Sequence, residues 1–367
     1  MLKRLYIDNF RCFVNFEYKP ERKQLLLGAN GSGKSSLLDA ILFVKWFIKG
    51  ESNEFSHRTC TRWDPKPLQV FELEAELDGV TILYRLEIGY SSEEQLPSVR
   101  LERLSVSGTP VFEFSKGEIH FLTANGGEVA NLKWKTAESA LRLAQMSNPH
   151  VGRFIDWLDT VHCFQIDPYP DVMEEIADTE DLLPEYDLSN LAPWYRHLLL
   201  VDPEGIAHFS AALRETLSGF QAFLITAERD GVRKLRADFL VRGKKIEPPL
   251  SLSELSEGQR MLIGLYMVLH FLIVKGHTVI LDEPDNFVSL REIQPWLIAA
   301  EDAVTDNGGQ LILISHHPEI LNQWAHEYGI QFLREKNGQV APPKPFATGY
   351  DDILQPSDVV ARGWENE

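Results

Sequence analysis

The sequence is poor in cysteine: its 367 residues carry only Cys12, Cys60 and Cys163, far apart and with no C-x-x-C pair. This argues against a disulfide framework and a structural zinc site, and it fits a reducing, cytoplasmic compartment. Positive charge is also scarce. With 36 Lys and Arg against 54 Asp and Glu, the formal charge is −18, so the chain does not coat nucleic acid or anionic membrane nonspecifically, which needs a dominant positive field. Long apolar runs are missing too. The most apolar one, Met261 to Val274, falls short of the roughly 20 residues that cross a bilayer and contains His270. It reads as a buried helix, and no membrane partner is expected. The opening Met1–Asp8 lacks the apolar stretch of a signal peptide. No fixed-period repeat and no sustained heptad occurs, which excludes a long coiled coil.

What is present is ordinary globular composition, 44% hydrophobic and 25% charged, at a length that suggests two domains or lobes. Two alternating runs, Leu2–Ile7 and Arg11–Tyr18, read as a hairpin. Leu25-Leu26-Leu27 reads as a short buried strand. From Lys34 to Lys49, Leu37, Leu38, Ile41, Leu42 and Ile48 recur at a helical period, and Gly50 follows as a stop. Val70–Leu77 and Thr81–Ile88 flank Asp78-Gly79, a hairpin signal. Between Asp167 and Asp187 stand nine acidic residues, three prolines and no Lys, Arg or His, which reads as a solvated surface insertion. The sign reverses from Arg229 to Lys245, where seven basic residues face Asp230 and Asp238. This is the one stretch that offers a nucleic-acid contact.

Between the Leu25–Leu27 strand and the helix lies Gly28-Ala29-Asn30-Gly31-Ser32-Gly33-Lys34-Ser35, the pattern G-x-x-x-x-G-K-S in its strand–loop–helix context. Its glycines let backbone N–H groups turn inward as an anion nest, and the helix start adds positive potential. Lys34 would reach the β- and γ-phosphates and the Ser35 hydroxyl would ligate Mg²⁺. Thr278–Asp282 is a buried strand that ends in Asp282 and Glu283. Asp282 would hold the Mg²⁺ shell and Glu283 would act as general base toward water. Gln310–Ile314 is another buried strand, followed by Ser315 and His316, and His316 would hydrogen-bond a γ-phosphate or the attacking water. Leu255-Ser256-Glu257-Gly258-Gln259 opens the apolar helix. Ser256 there reads equally as an ordinary N-cap or as part of a second phosphate surface.

Together these motifs resemble the ABC-type ATPases of the SMC and RecF branch, and within it the predicted ATPases of bacterial defence systems. The resemblance runs from Asn9-Phe10-Arg11 through GANGSGKS at 28–35, LSEGQ at 255–259, DEPD at 282–285 and ISHHPE at 314–319. It implies an α/β P-loop NTPase fold, an ABC-ATPase-like head with a mixed sheet and a second, largely helical lobe. It also implies ATP and Mg²⁺ as ligands and a homodimer or higher oligomer that sandwiches ATP. By resemblance the nucleotide is held by Asn30, Gly31, Ser32, Gly33, Lys34, Ser35 and Ser36. Arg11 touches the phosphates, Ser256 and Gly258 reach the γ-phosphate from the partner copy, and His316 is the switch histidine; Gln165, at the end of the Val161–Phe164 run, reads either as the glutamine between the first and signature motifs or as an ordinary surface glutamine. Glu257 departs from the pattern, since many transporter members have glycine there. The residues after Asp285, Asn286-Phe287-Val288-Ser289-Leu290, also differ from the usual inter-subunit loop.

Long heptad helices and a zinc hook are missing, and the stretch after His316 is too short for a nuclease domain. The resemblance therefore implies a stand-alone ATP-hydrolysing switch that controls a separately encoded effector, a nuclease or toxin, in anti-phage defence. A DNA-clamping repair ATPase using the 229–245 stretch is the alternative. Because the motifs lie at both ends of the chain, a discontinuous nucleotide lobe is expected from 1–165 and 277–335. A signature-bearing lobe over 166–276 and an extended tail over 336–367 complete the expectation. The sheet is expected to have a parallel core with antiparallel hairpins at its edge.

Overall fold

The computed structural model describes residues 1–51, 53–90, 96–122, 128–135, 137–145, 148–228, 231–347 and 354–363. In chain order its elements begin β1 (Leu2–Asp8), β2 (Phe16–Tyr18), β3 (Lys23–Leu27), α1 (Lys34–Lys49), β4 (Leu68–Leu77), β5 (Val80–Tyr90), β6 (Pro97–Val106), β7 (Thr109–Ser115), β8 (Glu118–Leu122) and β9 (Glu128–Lys133). They continue with α2 (Leu141–Ala144), α3 (Pro149–Asp159), β10 (Val161–Phe164), α4 (Leu191–Val201), α5 (Pro203–Thr216), β11 (Phe220–Ala227), β12 (Arg233–Val241), β13 (Lys244–Lys245), β14 (Leu250–Ser251) and α6 (Glu257–Val268). The last are β15 (Thr278–Asp282), α7 (Leu290–Asn307), β16 (Gln310–Ile314), α8 (Pro318–Tyr328), β17 (Gly329–Gln331), β18 (Lys344–Pro345) and α9 (Pro356–Ala361).

The chain forms two compact units, one of Met1–Val161 with Glu327–Ala347, the other of His162–His326 with the described part of Thr348–Glu367. In the first unit, eight antiparallel strands follow the order β2-β1-β4-β5-β6-β7-β8-β9. The β4–β5 turn needs two left-handed residues, and Asp78 (φ 51°) and Gly79 (φ 75°) supply them. These hairpins build a sheet of their own, which corrects the expectation that they line the edge of the parallel core. They alternate apolar and polar residues, as a strand with a single buried face must, and so they pair with one another. β3 instead pairs in parallel with β17, Leu25 opposite Gly329, and β17 continues antiparallel to β18. α1 buries Leu37, Leu38, Ile41, Val44, Phe47 and Ile48, each contributing about 1.5–3 kcal/mol relative to exposure. It stops at Gly50, which is left-handed at φ 68°.

In the second unit β15 and β16 run in parallel register, Asp282 opposite Ile314, with α7 connecting them. α6 is buried from Arg260 to Val268 and passes into a π-helical turn, Leu269–Ile273, as the apolar run predicts. β11 and β12 form a hairpin, and β14 pairs with β12 just ahead of the signature residues. The acidic segment is more than a solvated insertion. Met173 and Ala177 are buried, Ile176 bridges Lys234, Ala177 N donates to Arg233 O and Leu235 N donates to Glu175 O. Apolar residues spaced among the acids let the segment dock on β12. The stretch over 336–367 carries β18 and α9 and buries Val340, Phe346 and Val359. Among the described residues no helix is long and apolar enough to cross a membrane.

Candidate functional site

In the first unit, buried β3 delivers the chain into a turn that glycine makes possible. Gly28, Gly31 and Gly33 have φ of 145°, 79° and 107°, where a Cβ is strained. A Cβ on Gly28 would run into the Phe332 carbonyl oxygen, and one on Gly33 would lie 3.0 Å from both Cys12 Sγ and Val340 Cγ2. The loop is therefore pressed between the 11–13 segment and the 332–340 segment. α1 then starts at Lys34 with no side-chain cap on its first N–H groups, leaving donors and the positive helix end for an anion. Lys34 is buried, and its ammonium donates to the Gly28 and Ala29 carbonyls, the latter at 3.3 Å. The Ser32 hydroxyl is buried and has no hydrogen-bond partner among the described residues. A phosphate oxygen would satisfy it. Asn30, Gly31 and Ser35 are exposed beside it, and Ser36 is half-buried against Cys12. The loop thus fits a phosphate chain.

Arg11 stands next to this loop in a left-handed conformation, φ 50°. Its guanidinium pairs with Asp39 of α1 and lies over the Phe10 and Phe43 rings at 5.4 and 5.7 Å. Burial raises the Asp39 carboxyl above its ordinary range while Arg11 opposes that shift. Arg11 is thereby anchored one helical turn beyond Ser35.

In the second unit, the parallel register brings Asp282, Glu283 and His316 to neighbouring strand ends. Asp282 is buried, whereas Glu283 and His316 are exposed. Glu283 departs from strand geometry at φ 51° while its N–H still donates to Ile314 O at 2.8 Å. This bend turns its carboxylate outward, where Asn286 Nδ2 donates to it at 2.7 Å. Such strain at a strand end is a feature of functional sites. Beside them, the buried Ser315 hydroxyl accepts from His317 N at 2.9 Å. Burial pushes the Asp285 carboxyl up, opposed by a hydrogen bond with Ser315, and one of its buried oxygens has no partner among the described residues.

The signature turn belongs to the same unit. Ser256 is a helix N-cap: Gln259 N donates to its Oγ at 3.2 Å, and its own N–H donates to Gln259 Oε1 at 2.9 Å. Arg260, only 1% exposed, donates to the carbonyls of Leu252 (3.0 Å), Leu255 and Pro168. It also lies 3.5 Å from Glu257, which offsets the carboxylate that departs from the family pattern. Gln165 is exposed just past β10, with its N–H bonded to Tyr186 O at 2.9 Å.

Half of the described basic side chains in the 229–245 stretch are ion-paired within the chain. Glu175 holds Lys234 at 3.1 Å and Arg236 at 3.2 Å, Glu228 holds Arg236 at 2.6 Å, and Asp238 holds Lys245 at 2.9 Å. Arg229 lies outside the described residues.

A family model described as "AAA domain, putative AbiEii toxin, Type IV TA system" matches residues 25–322, and one described as "P-loop containing region of AAA domain" matches residues 2–46. The chain belongs to this AAA-domain family. No curated protein matches it. Among solved structures, the AAA domain is similar to an SMC head crystallised with the C-terminal winged-helix domain of ScpA, with a TM-score of 0.55, 13% identity, and coverage of 94% of this chain and 98% of that one. It is also similar to an SMC head with an extended coiled coil bound to the C-terminal domain of ScpA derived from Pyrococcus furiosus, at TM-score 0.50, 12% identity and coverage of 94% and 95%. The fold is that of an SMC-head-like P-loop NTPase with mixed α/β sheets, as the resemblance implied.

Within this AAA domain, sequence reasoning missed two residues of the strand-end and signature region. Asp285 could have been found as the second aspartate of DEPD. Arg260 reads as a surface cation three residues after Glu257, and nothing local signals its burial. Among the described residues no cluster of three or more His, Cys, Asp or Glu is placed to hold a metal by itself. A magnesium ion here would depend on phosphate oxygens and water for most of its ligands, as that ion commonly does.

Proposed function

We propose that this AAA domain is a cytoplasmic, ATP-hydrolysing switch in which two copies sandwich two ATP molecules, and that this cycle controls a separately encoded effector, a nuclease or toxin, in anti-phage defence. The observation that carries the reading is the P-loop itself, a turn held open by three positive-φ glycines around a buried Ser32 hydroxyl that has no hydrogen-bond partner among the described residues. In this reading 1–165 and 277–335 act as one nucleotide lobe, and residues 166–276 supply the signature surface.

Asn30 to Ser36 wrap the phosphates, with Lys34 on the β- and γ-phosphates. Ser35 and Asp282 would hold Mg²⁺, which when bound supplies charge neutralisation to the triphosphate. Glu283 orients and deprotonates the attacking water, and the exposed, bent geometry of its carboxylate supports that role. His316 donates a hydrogen bond toward the γ-phosphate. Arg11 and Gln165 contact the nucleotide from the same copy, and Ser256 and Gly258 approach from the partner copy. Membership of a family described as "putative AbiEii toxin, Type IV TA system" supports a growth-restricting output. The test is purification from the native operon together with a phage challenge. Co-purification of a neighbouring gene product and ATPase-dependent restriction are expected. A chain that comes alone and restricts nothing overturns the defence role and leaves the ATPase assignment standing.

A further inference from the structure

The P-loop accounts for phosphates and leaves the base of the nucleotide without a partner. Trp63 is the one exposed large aromatic of the first unit among the described residues, at 43% exposure. A lone exposed aromatic means little, but this one is built into its place. The fully buried Asn9 side chain accepts from Thr61 N at 3.0 Å and donates to the carbonyls of Lys66 and Leu68 at 3.1 and 2.9 Å. Both ends of the loop that carries Trp63 are therefore tied to the segment whose Cys12 and Phe13 press on Gly33. From the other side, Arg334 lies over the indole at 5.3 Å, donates to Gly338 O at 3.1 Å and reaches the P-loop carbonyl of Gly31 at 3.3 Å. Gly338, at φ 89°, leaves room for the ring: a Cβ there would stand 3.2 Å from Trp63 Cε2. One guanidinium thus links an exposed, pre-positioned aromatic face to the phosphate loop.

We infer that Trp63, flanked by Arg334, is the stacking platform for the purine base of the bound nucleoside triphosphate. The inference rests on the nucleotide-switch reading above. A flat indole accepts the base by its π face, and the Arg334 guanidinium over the ring adds a cation–π contribution. The platform selects a nucleotide over a bare polyphosphate.

The test measures equilibrium binding of ATP and of inorganic tripolyphosphate, each with Mg²⁺, to the wild-type chain and to Trp63→Ala, Trp63→Phe and Lys34→Ala. Trp63→Ala should weaken ATP about tenfold, the usual scale of one base–aromatic stack, and leave tripolyphosphate unchanged, while Trp63→Phe stays within about threefold of wild type. Thermal midpoints confirm folding, since the side chain is exposed. ATP binding to Trp63→Ala at wild-type strength overturns the platform, as does an equal loss of ATP and tripolyphosphate. Wild-type protein that binds neither ligand, or Lys34→Ala that binds both normally, overturns the phosphate-site reading instead and the platform with it.

Discussion

Gly258 faces Phe287 so closely that a Cβ on it would stand 2.6 Å from the Phe287 carbonyl oxygen. The single glycine of the signature turn is thereby fitted against the loop that follows Asp285. Since that loop is backbone at the contact, it cannot swing away as a side chain could. Gly258→Ala should therefore destabilise the chain by roughly 1–3 kcal/mol, the usual cost of overpacking, and lower ATP turnover. Thermal denaturation and ATPase assays check this. An unchanged midpoint with unchanged turnover would show that the loop yields freely.

The phosphate loop and the strand-end acids separate binding from chemistry. Lys34→Ala should abolish ATP binding. Glu283→Gln should retain binding and slow hydrolysis by about 10²–10⁴-fold, the contribution of a positioned base. Calorimetry and steady-state turnover check the pair, and normal turnover by the Gln variant would remove Glu283 from that role.

His270 sits in the π-helical turn after α6, and one of its ring nitrogens is buried with no partner among the described residues. Burial, then the neighbouring His208, pushes it down from 6.5 to about 4. Tyr266 and Phe209 face the same ring. Between these values the unfolded chain takes up a proton that the folded chain refuses, so stability falls as pH drops from 6.5 to about 4. His270→Phe should flatten that slope relative to wild type in denaturation series across this range. Parallel slopes would contradict it.

Alanine at Lys234 and Arg236 should leave duplex DNA binding unchanged, because both are already paired with Glu175 and Glu228. The same variant should be less stable, since Glu175 loses two partners. A large, salt-dependent loss of duplex binding in a filter or fluorescence assay would instead revive the DNA-clamping alternative.

Legibility tracked how local the information is. The P-loop could be read because G-x-x-x-x-G-K-S encodes its own backbone, with glycines where φ is positive. Asp78-Gly79 marked its hairpin, and the apolar strands ending at Asp282 and Ile314 announced a parallel pair. Sequence did not foretell that Glu175 meets Lys234 and Arg236, because that pairing joins segments far apart in the chain. For the same reason the separate antiparallel sheet and the burial of Arg260 were hidden. Ser256 was readable as an N-cap, and its capping box bears that out.

The most direct test of the central claim is a crystal structure with a nonhydrolysable ATP analogue and Mg²⁺. The account predicts the triphosphate wrapped by Asn30 to Ser36, Asp282 beside the metal, and Ser256 of a second copy closing over the γ-phosphate. A structure in which the analogue binds elsewhere, or in which Gly33 and Asp282 face unrelated surfaces with the analogue bound, would contradict it.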